Sequence, residues 1–593
     1  MNIRLLILVA LIGTCSSCKD SKPSDLADSI YINGKIYTVN EAQPWAEAIA
    51  IKDGKFLLVG TDDEIMVLKG DETEIVDLNG KFVMPGMIDV HTHAIESHVP
   101  SVVRLKNPGD VDKLVAEVKA YVEANPDQEW YIFGDFTFGL FPGDNGPKEL
   151  LDFAPDKAIA IMHASGHAFW ANSKALELAE ITADTPDPEK GIITRLENGE
   201  AQGGLQESAM TLIWKAAPPF TPAEIEESVE FANKLYAAAG ITATREAGQI
   251  PSRWNVLEKM AKEGKVKTRY SVAAHWESSI VTLHPTNEEV KSFLIENKDK
   301  ESDIVKLDGL KIMVDGVPAS RTSLMKEPFL DKPDSYGVQN LPTEDLNQGV
   351  LEYDELGVVS VIHVIGDQAA KLALDAVEGA QKANGVSGLR HHLTHNVIVD
   401  KTDLPRYKDL GVVADFSPFF PYYGPANNNH IQSVGEERFS KWWAIKSMMD
   451  QDIVTAIATD YPVAELSPFV NMEAGITRLD PHGSTEKPLA PEERISVEQA
   501  IKAYTWNPAY ILGWEDKIGS IENGKLADMV ILDQNPMEIS AADISEIKVM
   551  KTFLAGEVIF DANSDLGYLI DFEESRLIAL NYFKASDHIC SKH

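Results

Sequence analysis

Val83-Met84-Pro85-Gly86-Met87-Ile88-Asp89-Val90-His91-Thr92-His93 decides the reading of this 593-residue chain. Side chains alternate faces along a strand, so His91 and His93, two apart at the end of an apolar run, point the same way. Pro85-Gly86 reads as the turn that delivers the chain into that strand. Two imidazoles side by side at a strand's carboxyl end are how a parallel barrel grips a divalent metal. Asp89 reads as a residue that fixes the strand-one turn or orients a ligand from behind, rather than binding metal itself.

Downstream, from residue 86 to about 518, apolar strands alternate with helical stretches, the pattern of a βα-barrel. Candidate strands are 87–93, 242–246, 269–274, 309–314, 358–364, 391–395, 412–416 and 453–459. Eight is the number that closes such a barrel. The gap between the first two is too long for one crossover, which places a large insertion at 95–235. That insertion is rich in aromatics and glycine, which suits a cap over the site or an excursion with its own core. Residues 28–85 instead alternate short strands with turns at Asn33-Gly34 and Asp53-Gly54, both hairpin signals. Residues 519–562 echo that pattern, so the two ends predict one small β-sandwich. The fold class expected is α/β: a (β/α)8 TIM-like barrel with a large insertion after strand one, plus that sandwich.

The balance of 54 basic against 92 acidic residues gives a net charge of −38, a field that repels phosphate backbones and excludes nucleic acid as a natural partner. Hydrophobic residues at 44% and charged ones at 25% describe an ordinary globular composition. At the N-terminus, Arg4 precedes a short apolar run from Leu5 to Ile12 and then small residues, which reads as an export signal. The segment resembles a bacterial lipoprotein signal, with Cys18 as the lipidated residue and Cys15 as the alternative. Residues 1–18 are then a leader and 19–27 a polar tether, which predicts an exported, lipid-anchored protein. The third cysteine, Cys590, lies in the tail at 563–593, so no disulfide framework is expected.

Polar residues recur where the candidate strands end, the place where barrels assemble their sites. Strand one ends in His91 and His93, strand four carries Lys311, five ends in His363, six in His395 and eight in Asp460. His363 and His395 are about one βα unit apart, and Asp460 about two units further on. This arrangement resembles the ligand pattern of the amidohydrolase superfamily. Further stretches resemble amidohydrolase family 3, the branch containing N-substituted formamide deformylase: Ser165-Gly166-His167-Ala168-Phe169-Trp170, Lys311-Ile312-Met313-Val314-Asp315-Gly316 running to Ser320-Arg321-Thr322, and His363-Val364-Ile365-Gly366-Asp367. The segment Gly519-Ser520-Ile521-Glu522-Asn523-Gly524-Lys525-Leu526-Ala527-Asp528 is similar to the family's C-terminal strand region. The resemblance covers about residues 28–562. Departures at Val317-Pro318-Ala319, Thr459-Asp460-Tyr461 and Phe416-Ser417-Pro418 bear on specificity rather than on the metal site.

The resemblance implies His91, His93, Lys311, His363 and His395 as metal ligands, with Lys311 carbamylated so that its new carboxylate bridges two ions. The residues alone leave Lys311 open to an ion pair with an acid such as Asp315. His167 and Arg321 are candidates for orienting a polar group of the substrate, a structural role being open for both. Glu207 and His275 are weaker candidates. A donor set of nitrogen and oxygen without thiolates suits zinc, as one or two ions, with manganese or iron as alternatives. The chemistry expected is attack of metal-bound hydroxide on an amide, N-acyl or N-formyl carbonyl, with Asp460 as general base and then acid. A deaminase or cyclic-amide hydrolase on the same scaffold is the alternative. A surface-anchored binding protein without catalysis is a third reading, and one that has no use for the full ligand set. The expected partner is a small amide-type molecule. The oligomeric state is not legible, a homodimer being one option.

Overall fold

The structure is a computed structural model that describes residues 26–565 and 567, apart from 107–108, 137–139, 142–145, 164–167, 189–190, 277–286, 301, 319–320 and 425–426. The expected leader, tether residues 19–25, His167, the Glu207 side chain and the tail with Cys590 lie outside the described residues.

Eight parallel strands make the central sheet: β1 (Met87–Thr92), β2 (Ile241–Gln249), β3 (Arg269–His275), β4 (Val305–Met313), β5 (Val359–Val364), β6 (His392–His395), β7 (Val413–Phe416) and β8 (Thr455–Ile457). Each pairs with its neighbours in chain order. The ring closes just past β8, where the Asp460 N–H donates to the His91 carbonyl at 2.9 Å and the His93 N–H to the Tyr461 carbonyl at 2.8 Å. All eight expected strands are present, and the barrel is TIM-like. Strands β1, β2, β6, β7 and β8 are buried along their whole length, because a parallel sheet is covered on both faces.

The helix Pro222–Ala239 shows how the outer ring is made. Thr221 and Glu224 form a capping box, Pro222 sits in the first turn, and Gly240 ends the helix at φ +77°. Ile225, Val229, Ala232 and Tyr236, spaced by three or four residues, pack into the barrel's main core. Between β1 and this helix lies a six-stranded sheet running from Val102–Arg104 to Ala201–Glu207, with parallel and antiparallel pairs. Its two faces bury separate clusters, one around Phe169 and Leu205, the other around Phe133 and Trp170.

The chain ends meet in a two-layer β-sandwich, as expected. One sheet joins Lys55–Gly60, Ala48–Lys52, Ser29–Ile32 and Glu74–Asp77; the other joins Glu557–Asp561, Val549–Leu554, Met529–Leu532, Phe82–Pro85, Lys35–Tyr37 and Trp45–Ala46. Tyr31, Ile49 and Phe56 from the first pack on Val83, Met529 and Phe553 from the second. Asp53-Gly54 is the expected hairpin, with both residues at positive φ, +50° and +74°. Asn33-Gly34 is not. Only Asn33 has positive φ, and this corner carries the chain from one sheet to the other, with the Gly34 Cα pressed close to Leu78.

Pro85-Gly86 also differs from the expected turn. Pro85 is the last residue of a sandwich strand and Met87 the first of the barrel, so Gly86 alone links the two units. A Cβ at Gly86 would stand 2.3 Å from Thr242 Oγ1, so only glycine lets β1 approach β2 this closely.

A buried ion pair fastens the sandwich to the barrel. Arg269, opening β3, donates through Nε and Nη2 to the two carboxylate oxygens of Asp528 at 2.7 and 2.8 Å, and Asp528 also accepts the Ala555 N–H at 2.8 Å. Asp528→Ala is expected to destabilise the protein by about 3–5 kcal/mol, because it strands a buried guanidinium. Urea unfolding checks this, and a loss under about 1 kcal/mol would show that the pair is dispensable. Among the described residues no helix is long and apolar enough to cross a membrane.

Candidate metal centre

Alternation along β1 turns Asp89 and His91 inward, and His93 follows at the strand's end. Across the closing seam, Asp460 meets both histidines: its Oδ1 lies 3.6 Å from His91 Nε2 and 3.4 Å from His93 Nε2. One ligand atom from each of the three lies within 4.8 Å of the others. Lys311, on β4, brings Nζ to 3.0 Å from His91 Nε2. The His395 ring lies 4.6 Å from that of His91 and 4.2 Å from that of His363, and His363 Nε2 is 3.7 Å from Asp315 Oδ1. The barrel thus gathers the five ligand candidates and Asp460 into one group, buried except for the half-buried His93.

Strand parity alone does not place His395, since Thr394 and His395 would face opposite ways. His395 and Asn396 adopt positive φ, +79° and +42°, which turns the His395 ring back among the others. Asp460 is likewise left-handed at φ +55°. Such conformations cost non-glycine residues of order 1–3 kcal/mol and persist where the surroundings over-determine them, commonly at functional sites.

Electrostatics prepares the group for a cation. Burial, reinforced by Lys311 and neighbouring histidines, pushes His91 and His395 well below the ordinary imidazole range, so both are neutral at neutral pH. Burial also draws His93 down, but the hydrogen bond and charge of Asp460 outweigh it and raise His93. Lys311 is lowered to about 8 by burial, against the pull of Asp460 and Asp415. His395 Nδ1 donates to the Ser417 carbonyl at 2.6 Å, which leaves the lone pair on Nε2; that buried atom has no hydrogen-bond partner among the described residues. An orphaned lone pair beside two further imidazoles and a carboxylate fits a divalent metal.

The surrounding carboxylates hold this frame. Asp89 accepts the His91 N–H at 3.1 Å and the Thr459 hydroxyl at 2.6 Å, tying β1 to the end of β8; burial raises it to about 7 despite these bonds. Asp315 accepts the N–H groups of Leu324, Ile365 and Gly366 at 2.8–3.0 Å and locks the loop after β4 onto β5. Gly366 is obligatory there, since a Cβ would lie 1.9 Å from the Leu324 carbonyl oxygen. Arg321 rides on that loop at φ +57°, and its Nε donates to Asp331 Oδ2 at 3.0 Å while Nη1 reaches Asn429. Its guanidinium is therefore already engaged with an acid. His275 donates Nδ1–H to the Trp276 carbonyl at 2.8 Å.

Four interior residues lie beyond those named from the sequence. Glu246 on β2 accepts the Tyr236 hydroxyl at 2.8 Å, and burial raises it to about 7. Asp415 on β7 lies behind His91 and His395; burial pushes its pKa up, but His392 and the Ser417 and Thr394 hydroxyls bring it below the ordinary range. His392 and Thr394 on β6 complete the set. The available signal was one acid inside the apolar stretch Val412-Val413-Ala414-Asp415-Phe416.

The description of the amidohydrolase family matches residues 74–560. The chain is 28% identical over 556 residues to the putative amidohydrolase YtcJ of Bacillus subtilis (strain 168), spanning 90% of this chain and 99% of that protein. It is 26% identical over 560 residues to the N-substituted formamide deformylase of Arthrobacter pascens, spanning 91% and 99%. In fold it is similar to an uncharacterized metal-dependent hydrolase from Pyrococcus horikoshii, with a TM-score of 0.69 and 24% identity over 86% of this chain and 99% of that one. The family match takes in the whole barrel and the gathered histidines and aspartate, and the chain therefore belongs to the amidohydrolase family, as a hydrolase acting on carbon–nitrogen bonds.

Proposed function

We propose that this chain is a divalent-metal-dependent amidohydrolase cleaving a non-peptide amide, N-acyl or N-formyl bond of a small molecule. The observation that carries the reading is the convergence of His91, His93 and Asp460 at the closing seam of the barrel. His91, His93, Lys311, His363 and His395 would hold one or two ions, zinc being the metal that the donor set suits. When bound, such an ion lowers the pKa of a coordinated water toward about 7 and polarises a carbonyl oxygen. Asp460 takes the proton from the attacking water through its carboxylate and returns it to the departing nitrogen. Its backbone N–H, bonded to the His91 carbonyl, fixes where that carboxylate stands.

Similarity to a formamide deformylase makes N-formyl amides the first substrates to try. The test is turnover of zinc-loaded protein on N-formyl, N-acyl and cyclic amides, with product identification. A carboxylate plus an amine supports the reading. Ammonia from an amino-heterocycle, or an opened ring alone, would replace it with the deaminase or cyclic-amide reading.

Lys311 belongs to this proposal as a carbamate: its neutral amine adds carbon dioxide, loses a proton and gains a carboxylate. Its position against His91 Nε2, inside the ligand group, supports that role. Lys311→Ala is expected to lose activity and to regain part of it with short-chain carboxylates that fill the gap. An unmodified lysine in a metal-loaded crystal grown with bicarbonate would contradict it.

For location, the reading is a lipid anchor at Cys18 after cleavage behind Ser17, with two or more acyl chains giving stable attachment. Fatty-acid labelling of the expressed protein is expected to vanish in Cys18→Ala with turnover unchanged. Label that survives in Cys18→Ala but is lost in Cys15→Ala would move the anchor, and an unlabelled native protein would abolish it.

A further inference from the structure

His275 ends β3 on the inner face of the barrel. In the parallel pairing of β3 with β4 it stands opposite Lys311, and Ala274 stands opposite Leu310. Register partners share a face, and successive residues alternate. Ala274, Leu310 and Ile312 pack in the same core as the helix residues Ile225, Val229 and Tyr236, outside the ring of strands. His275 and Lys311 therefore turn inward, where Lys311 Nζ meets His91 Nε2 at 3.0 Å. His275 is also the one residue of β3 that is not fully buried, as suits the open end of the strand.

The ring is held on both flanks. On one side lies Gly248, the bulged residue of β2, at φ +89°; a Cβ there would stand 2.9 Å from His275 Cδ2, so glycine leaves room for this edge. On the other side Nδ1 lies 2.8 Å from the Trp276 carbonyl. A carbonyl only accepts, so the ring proton sits on Nδ1. That carbonyl is fixed in its turn. The Trp276 N–H donates to the Lys311 carbonyl at 3.1 Å, and the indole occupies space over Gly349, where a Cβ would lie 2.2 Å from it. Nε2 is left at the distal tip of the ring, directed into the barrel mouth with its lone pair.

Burial, against the pull of the Trp276 carbonyl and aided by Lys311 and His93, lowers His275 to about 4, so the ring is neutral at neutral pH. With its proton committed to a carbonyl, a neutral imidazole can only accept at Nε2. It cannot stabilise an oxyanion, which needs a donor. The group of an amide that suits an acceptor is the N–H. Asp460, the proton carrier, follows β8, three strands away around the ring, so the nitrogen that receives its proton lies between the two side chains.

We propose that His275 is a specificity-determining residue whose Nε2 accepts the N–H of the amide being cleaved. The substrates are then amides that keep a hydrogen on nitrogen (primary, monosubstituted or cyclic), and N,N-disubstituted amides are rejected. The inference rests on the amidohydrolase reading above and narrows its substrate class.

The test uses the zinc-loaded full-length protein. Whichever amide the native enzyme cleaves is compared with its N-methyl derivative, as the ratio of the two kcat/KM values. His275→Phe keeps a planar ring and removes both nitrogens. The ratio is expected to fall roughly 10–100-fold in this variant, the effect of leaving a buried N–H unpaired. Zinc affinity, measured against a chromophoric chelator, is expected to stay within about threefold of native, a much smaller change than loss of a ligand or its support causes. An unchanged ratio, with both amides slowed alike, would make the role structural and overturn the proposal. A zinc affinity lowered more than about tenfold would make His275 a ligand and overturn it too. Nitrogen NMR of zinc-loaded protein carrying labelled histidine gives a readout independent of the variant's folding: His275 is expected to carry its proton on Nδ1 at neutral pH, and a proton on Nε2 would end the acceptor role. A native protein that cleaves none of the amides ends the amidohydrolase reading and this inference together, whereas cleavage of both amides at equal rates ends the inference alone.

Discussion

His91→Ala and His395→Ala are each expected to lose bound metal and activity together. His91 is completely buried, and its Nε2 sits between Lys311 Nζ and Asp460 Oδ1. No neighbouring atom moves into its place without unfolding the end of β1, because the strand is packed on both faces. His395 Nε2 is a buried atom that makes no hydrogen bond among the described residues. Zinc affinity should fall by more than the roughly 10–100-fold that follows loss of a residue merely orienting a ligand. Elemental analysis after chelation and reloading is the measurement. Asp528→Ala serves as the control: it weakens the fold at the sandwich, remote from these histidines, and is expected to keep its metal. Full occupancy in both histidine variants would remove them from the ligand set.

Much of this architecture is legible in the chain because the relevant signals are local. The eight strands are apolar runs bounded by turns, and the histidines end them, so parity and spacing suffice to place His91, His93, His363 and Asp460 on one rim. What escapes reading depends on partners distant in sequence. Asn33-Gly34 carries the same residues as a hairpin turn, yet Ser29–Ile32 pairs with Ala48–Lys52 while Lys35–Tyr37 joins a different sheet. Glu246, His392 and Asp415 are polar residues inside strands. Alternation cannot say which face is interior until the barrel is closed. One local irregularity, the left-handed backbone at His395, reverses the parity where it matters most. The forked donors of Arg321 suit a carboxylate. The structure supplies one from the protein itself, Asp331, ten residues further along the same excursion.

Asp460→Asn is expected to lower turnover by about 10²–10⁴-fold, the usual cost of losing acid–base catalysis, while leaving the fold in place. The amide has the shape of the carboxylate but cannot accept a proton, and the backbone hydrogen bond to the His91 carbonyl that closes the barrel is untouched. His91, His93 and His395 remain to hold metal, so occupancy at saturating zinc should persist. A second readout separates loss of a proton carrier from general damage. Burial draws His93 downward, and the hydrogen bond and charge of Asp460, with a smaller pull from Glu96, lift it above the ordinary range. With asparagine in that place the charge is gone and burial prevails, so in the metal-free protein His93 must titrate at lower pH than in the native chain. NMR titration of His93 checks the direction, and steady-state kinetics with saturating metal checks the rate. A fall of less than about tenfold would take Asp460 out of the proton-transfer role. A His93 that titrates unchanged would mean that the two side chains do not meet in solution, and the His91–His93–Asp460 grouping would have to be redrawn.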